Sequence, residues 1–149
     1  MRIFGDIMDY SEFFRNVSRI IIFFVQFTQQ TFEYDYGNNT FQSADDIDGE
    51  IQSAVAKKGD SVDFYCLDNS KNFSLALDTE IAAKAAVKLT FYDENYNVVK
   101  FMSNGKSVAN LTLNAKNNEF LMADVSDNIK FVRIDASGAN LNAYTITQA

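Results

Sequence analysis

The chain has no histidine, no proline and no tryptophan, and one cysteine, Cys66, among 149 residues. Without histidine it lacks the usual general base, the commonest transition-metal ligand and the side chain that titrates near neutral pH. A single cysteine excludes an intrachain disulfide and, with no histidine, a structural zinc site. It neither places the chain in an oxidising compartment nor excludes export. The missing proline removes one guard of exposed strand edges, leaving lysine and aspartate to serve there. Basic residues are few, 13 against 20 acidic ones, for a net charge of −7. That balance argues against duplex nucleic acid, which needs a basic footprint to release counterions, and against anionic lipid. It favours solubility and the attraction of cations.

Long hydrophobic runs are missing too. The longest, residues 20–27 (IIIFFVQF), falls far short of the roughly 20 apolar residues that span a bilayer. Asp6, Asp9 and Glu12 ahead of it, and no small-x-small site after it, make a poor signal peptide. Phe13, Phe14, Val17, Ile20, Ile21 and Phe24 fall on one helical face. Three readings of residues 1–34 stay open: a degenerate export or anchor segment, a helix packing on the domain or a partner, or the remnant of a longer chain or a misassigned start. Membrane contact is expected, if at all, only through this segment.

What the chain does have is 14 Phe and 7 Tyr, residues that suit pleated, half-buried surfaces. From residue 47 onward the apolar period is two. Val62, Phe64 and Cys66 alternate with Asp63, Tyr65 and Leu67, and on this reading Cys66 is a buried small hydrophobe. Phe73, Leu75 and Leu77 share a face, as do Val87, Leu89 and Phe91. Val98–Met102, Val108–Leu113, Phe120–Met122, Ile129–Ile134 and Leu141–Ile146 read as further strands. Turn signals at Asp93-Glu94-Asn95, Asn104-Gly105, Asn117-Asn118, Asp127-Asn128 and Ser137-Gly138 separate them. Residues 80–86 are rich in alanine, but the flanking strands leave room only for a loop or one short helical turn. About eight antiparallel strands with turns roughly every 8–12 residues predict an all-β sandwich or barrel over residues 35–149.

The stretch 35–68 carries the chemistry. Asp35, Asn38 and Asn39 lie upstream of a Gly59-Asp60 turn, with Asp63 three residues further on. If the two turns meet, they form an oxygen-rich pocket for a hard cation. Otherwise Asp60 is a turn residue and Asp63 a solvent-facing strand residue. Asp45-Asp46-Ile47-Asp48 lacks the glycine and terminal glutamate of an EF-hand loop and reads as a solvated turn. Asp93 and Glu94 have no second acid at a defined distance for glycosidase chemistry. Tyr65, Tyr92, Tyr96 and Tyr144 read either as a stacking surface for sugar or peptide, or as part-buried strand and turn aromatics.

In order and spacing, DYGNNTFQSA (35–44), DIDGEI (46–51), GDSVDFYCL (59–67), LTFYDENYNVV (89–99) and FVRIDASGANLNAYTIT (131–147) resemble the bacterial pre-peptidase C-terminal domain. That family includes the collagen-binding domains of clostridial collagenases. The resemblance implies a β-sandwich of jelly-roll type. It implies a non-catalytic module of a secreted or cell-surface bacterial protein, binding matrix protein or polysaccharide or attached to a peptidase domain. It also implies a Ca²⁺ site at Asn38, Asn39, Asp60 and Asp63, with Asp35 as an acidic linker ligand. Calcium takes 6–8 oxygens and its affinity follows charge count, so such a site would be weak. The alternative is a free-standing interaction protein that oligomerises or docks through its N-terminal apolar helix.

Overall fold

A computed structural model describes residues 36–149. The expected apolar helix in residues 1–34 lies outside the described residues, as does Asp35. The described residues contain no α-helix. Two short 3-10 turns, Tyr36–Asn38 and Phe41–Ser43, lead into twelve strands. These are Asp45–Asp46 (β1), Gly49–Ala56 (β2), Val62–Cys66 (β3), Phe73–Leu77 (β4), Val87–Tyr92 (β5) and Val98–Val99 (β6). Phe101–Ser103 (β7), Lys106–Val108 (β8), Leu111–Leu113 (β9), Glu119–Met122 (β10), Phe131–Ala136 (β11) and Leu141–Gln148 (β12) complete the set.

The strands form a sandwich. A six-stranded mixed sheet has the order β1-β3-β11-β5-β6, with β9 also on β5, and an antiparallel sheet has the order β10-β4-β12-β2. Two expected strands are each broken in two. The chain leaves the edge of β5 after Val99, which sits opposite Phe91. It runs through the β7–β8 hairpin and returns to the same edge with Leu111 opposite Leu89. The hairpin turns at Asn104-Gly105, where φ is +50° and +74°. Both values are positive, as the primed two-residue turn requires, and Asn-Gly is the pair that tolerates them.

Period two sets the core. Phe73, Leu75 and Leu77 from β4 face Val87, Leu89 and Phe91 from β5, all 0–3% exposed. Phe73 meets Phe91 edge-on at 5.6 Å, and Phe91 meets Phe101 at 4.8 Å, the geometry aromatic quadrupoles favour. Residues 80–86 form the expected loop. It opens with the Glu80 N–H donating to Asp78 Oδ1 at 2.9 Å.

Two expectations fail. β3 presents the opposite face to the one expected: Asp63, Tyr65 and Leu67 point into the sandwich, while Phe64 and Cys66 point out. The register explains it. Asp63 and Tyr65 sit opposite Ile134 and Val132, both 0% exposed, whereas Phe64 and Cys66 sit opposite Arg133 and Phe131. Phe64 is nevertheless buried, because Phe41 covers the outer face. Its ring lies 4.6 Å from Phe64, 4.9 Å from Tyr92, 5.4 Å from Phe131 and 4.3 Å from Tyr96. Thr40 and Ser43 hold Phe41 there by a reciprocal cap, each hydroxyl accepting the other's N–H at 3.2 Å. The second failure is Asp45-Asp46. It is a strand rather than a solvated turn, and it pairs in parallel with Tyr65 and Cys66.

Buried amides tie the strand ends to loops. Asn142 accepts the Ala86 N–H at 2.9 Å and donates to the Val55 and Ala139 carbonyls. Gln148 accepts from the Asp68 N–H at 2.8 Å and donates to the Asp68 carbonyl at 3.1 Å. Gly138 passes so close to the loop before β5 that a Cβ there would lie 2.3 Å from the Lys84 oxygen and 2.4 Å from the Ala86 nitrogen. Both are main-chain atoms and neither side can yield cheaply. Gly138→Ala is therefore expected to cost about 1–3 kcal/mol, read as a lower urea midpoint at unchanged m-value. An unchanged midpoint would contradict this packing.

Candidate functional site

The expected calcium residues lie in and before β3 and in the segment that leads to β1. Asn38, Asp60 and Asp63 are 0–1% exposed and Asn39 is half-buried. Asp60 sits just before β3, and its main-chain carbonyl accepts the Ala56 N–H at 2.7 Å. That bond closes the β2–β3 turn around Gly59, whose φ is +98°. Asp63 lies one pleat further on, facing inward.

There Asp63 joins a buried polar cluster that bridges the two sheets. The Tyr144 hydroxyl, from β12 of the antiparallel sheet, donates to Asp63 Oδ2. The Ser53 hydroxyl, from β2, reaches the same oxygen at 3.4 Å. The Tyr65 and Tyr144 hydroxyls lie 2.8 Å apart. Ser53 and Asn38 lie near enough to the Tyr65 hydroxyl to lower its pKa against burial, and the first 3-10 turn packs on β3. The buried Asn38 and Asp63 thus both flank the tyrosine hydroxyls.

Burial pushes both phenols above the ordinary tyrosine range, and the Asp63 carboxylate pushes the same way. Tyr65 and Tyr144 are 2% exposed and present no stacking surface. Tyr92 and Tyr96 stay near the surface with Phe41. Sequence reasoning missed the partnership of Ser53, Tyr65 and Tyr144. The available signal was polar residues at inward positions: Ser53 between Ile51 and Val55, and Tyr144 between Asn142 and Ile146.

The donor set can be tested for a cation. Calcium needs open oxygens, and Oδ2 of Asp63 already takes two hydroxyls. Among the described residues no group of three or more acidic or cysteine side chains is placed to hold a metal. Of the set Asn38, Asn39, Asp60 and Asp63 only two are acids, which fits at most a weak site, and Asp63 also serves as acceptor for Tyr144 and Ser53. Elsewhere, Asp93 accepts the N–H groups of Asn97 and Asn95 at 2.9 and 2.8 Å. Those bonds hold its carboxyl below the usual range and close the turn before β6. Burial, then Asp46 and Asp45, push the Cys66 thiol up.

No known family profile matches the sequence, and no curated relative does. Solved structures share a β fold at low identity. A de novo designed double-stranded β-helix matches at TM-score 0.41 and 9% identity, over 67% of this chain and 97% of its own. The pre-peptidase C-terminal domain of a Bacillus anthracis collagenase matches at 0.39 and 13%, over 70% and 90%. An accessory secretory protein complex of Streptococcus pneumoniae matches at 0.38 and 11%, over 80% and 96%. The resemblance to the pre-peptidase domain is structural and distant, and it extends equally to other β-sandwich and β-helix proteins.

The raised phenols set a pH dependence. The unfolded chain releases tyrosine protons near pH 10, while the folded state keeps these two. Their contribution is fully present below that pH and is lost as pH rises through the raised values. Stability is expected to fall from about pH 10 upward, with a shallower slope in Tyr65→Phe. Tyrosinate absorbance of these two residues should appear only with unfolding. Their smooth ionisation in the folded protein would contradict the cluster.

Proposed function

We propose that residues 35–149 form a non-catalytic accessory domain of jelly-roll type, carried by a secreted or cell-surface bacterial protein. It would bind matrix protein, polysaccharide or an attached peptidase domain. One observation carries this reading. The coupled titratable groups Asp63, Tyr65 and Tyr144 are sealed between the sheets, while the open cavities beside β10 contain a single charged side chain, Glu119. Chemistry needs reactive groups within reach of substrate, and recognition needs shaped surface. The segment order of the pre-peptidase family supports the same reading.

The family resemblance adds calcium. On that resemblance a bound ion would rest on Asn38, Asn39, Asp60 and Asp63, with Asp35 as an acidic linker ligand, and would tie the leading segment to the β2–β3 turn. Millimolar CaCl₂ is then expected to raise the melting temperature of the full chain by a few degrees over EGTA, in line with mass action for a weak site. Identical melts would remove the ion from the proposal. The binding reading itself is tested by co-sedimenting the full chain with insoluble collagen, chitin and peptidoglycan. Salt-resistant retention on one of them is expected, and passage through all three counts against the reading.

A further inference from the structure

β10 closes one end of the antiparallel sheet, and among the described residues no strand lies on the side away from β4. The Leu77 N–H donates to the Asn118 carbonyl at 2.7 Å, and Glu119 pairs with Ala76 and Leu121 with Ser74. Antiparallel hydrogen bonding alternates along a strand. The main-chain groups of Glu119 and Leu121 therefore point away from β4, toward the open edge. Among the described residues no loop hydrogen bond engages either.

Natural edges are usually blunted by proline, lysine, a bulge or a covering loop. β10, with sequence EFLM, has neither proline nor lysine. Instead it exposes Leu121 at 69%, and across a gap the β7–β8 hairpin exposes Met102 at 63%. These are the two most exposed large apolar residues of the described chain. Both line one cavity of about 170 Å³, with Asn104, Leu111 and Asn117. A second cavity of about 510 Å³ lies over Ser74 and Ala76, on the other flank of Leu121. Glu119 borders both and is the only charged side chain in either.

We propose that the β10 edge is a docking site for an extended peptide segment of a partner protein, added as a further strand of this sheet. An added strand takes its affinity from main-chain hydrogen bonds and its specificity from pockets for alternate side chains. Here Glu119 and Leu121 supply the main-chain groups, and the cavity between β10 and the β7–β8 hairpin supplies a side-chain pocket. Charge decides the occupant. Glu119 beside both cavities, on a chain of net charge −7, selects a segment with lysine or arginine at one position and apolar residues two apart. A second copy of this chain would bring another −7 and its own Glu119, and is disfavoured.

The inference deepens the accessory-domain reading and rests on it, but fails separately. A library of random peptides of about nine residues, a common strand length, is panned on the full chain. The peptides recovered are measured by isothermal titration. The proposal expects peptides with alternating apolar residues and a lysine or arginine. It expects affinity to fall about tenfold or more with Glu119→Lys and with Leu121→Asp. It expects the same loss when alternate peptide amides are N-methylated, with amide shifts confined to Met102–Asn104 and Glu119–Met122. An empty selection, acidic or patternless peptides, or binding indifferent to these changes would overturn it. So would a dimer in sedimentation that Leu121→Asp dissolves. If such a negative chain still holds collagen, chitin or peptidoglycan, the accessory-domain reading stands without this edge.

Discussion

The contact between Tyr144 and Asp63 decides how the two sheets face one another. Asp63 belongs to β3 in the mixed sheet and Tyr144 to β12 in the antiparallel one. A carboxylate in an apolar interior is costly unless its oxygens are satisfied. Tyr144 and Ser53 satisfy one oxygen from across the sandwich. A strand's side chains have period two, so a slip of one residue in β3 would turn Asp63 outward and break this bridge. The register of β3 against β11 and the face it presents follow from that constraint.

Much else is tied to the same choice. With Asp63 and Tyr65 inward, Phe64 and Cys66 must face out, and a bare Phe64 there would be exposed. Phe41 covers it, so the leading segment has to cross the outer face. Arg133 adds a guanidinium 5.6 Å above the Phe64 ring and pairs with Asp135 at 2.6 Å. The segment then continues as β1 along the edge of β3, in the direction that makes the pair parallel. Inside, Asn38 is buried near Tyr65. One short stretch thus seals both faces of the same strand.

The strands with one covered face were legible in the sequence. Phe73-Leu75-Leu77 and Val87-Leu89-Phe91 read inward and are inward, and Asn104-Gly105 and Asp93 turn where their chemistry says. β3 was not legible, because both of its faces are covered. Alternation then carries no sign, and the aspartate made the inward parity look polar. β1 was hidden because two aspartates at a sheet edge look like a turn. The breaks at Lys100 and at Ala109-Asn110 were hidden because the hairpin leaves and rejoins one edge of β5 without losing its apolar pattern. For the site, the sequence left open whether the Asn38 turn meets β3. The partners on Ser53 and Tyr144, about 90 residues apart in sequence and joined only by strand pairing, were not readable.

The central claim is that Asp63 and Tyr144 are coupled across the sandwich. A double-mutant cycle in urea, with Asp63→Ala, Tyr144→Phe and the pair, measures that coupling directly. Loss of a buried partner costs about 1–3 kcal/mol, and groups in direct contact are non-additive by about 0.5–3 kcal/mol. The account predicts a coupling above about 1 kcal/mol, with the double variant less destabilised than the sum of the singles. Additivity within about 0.3 kcal/mol would contradict it.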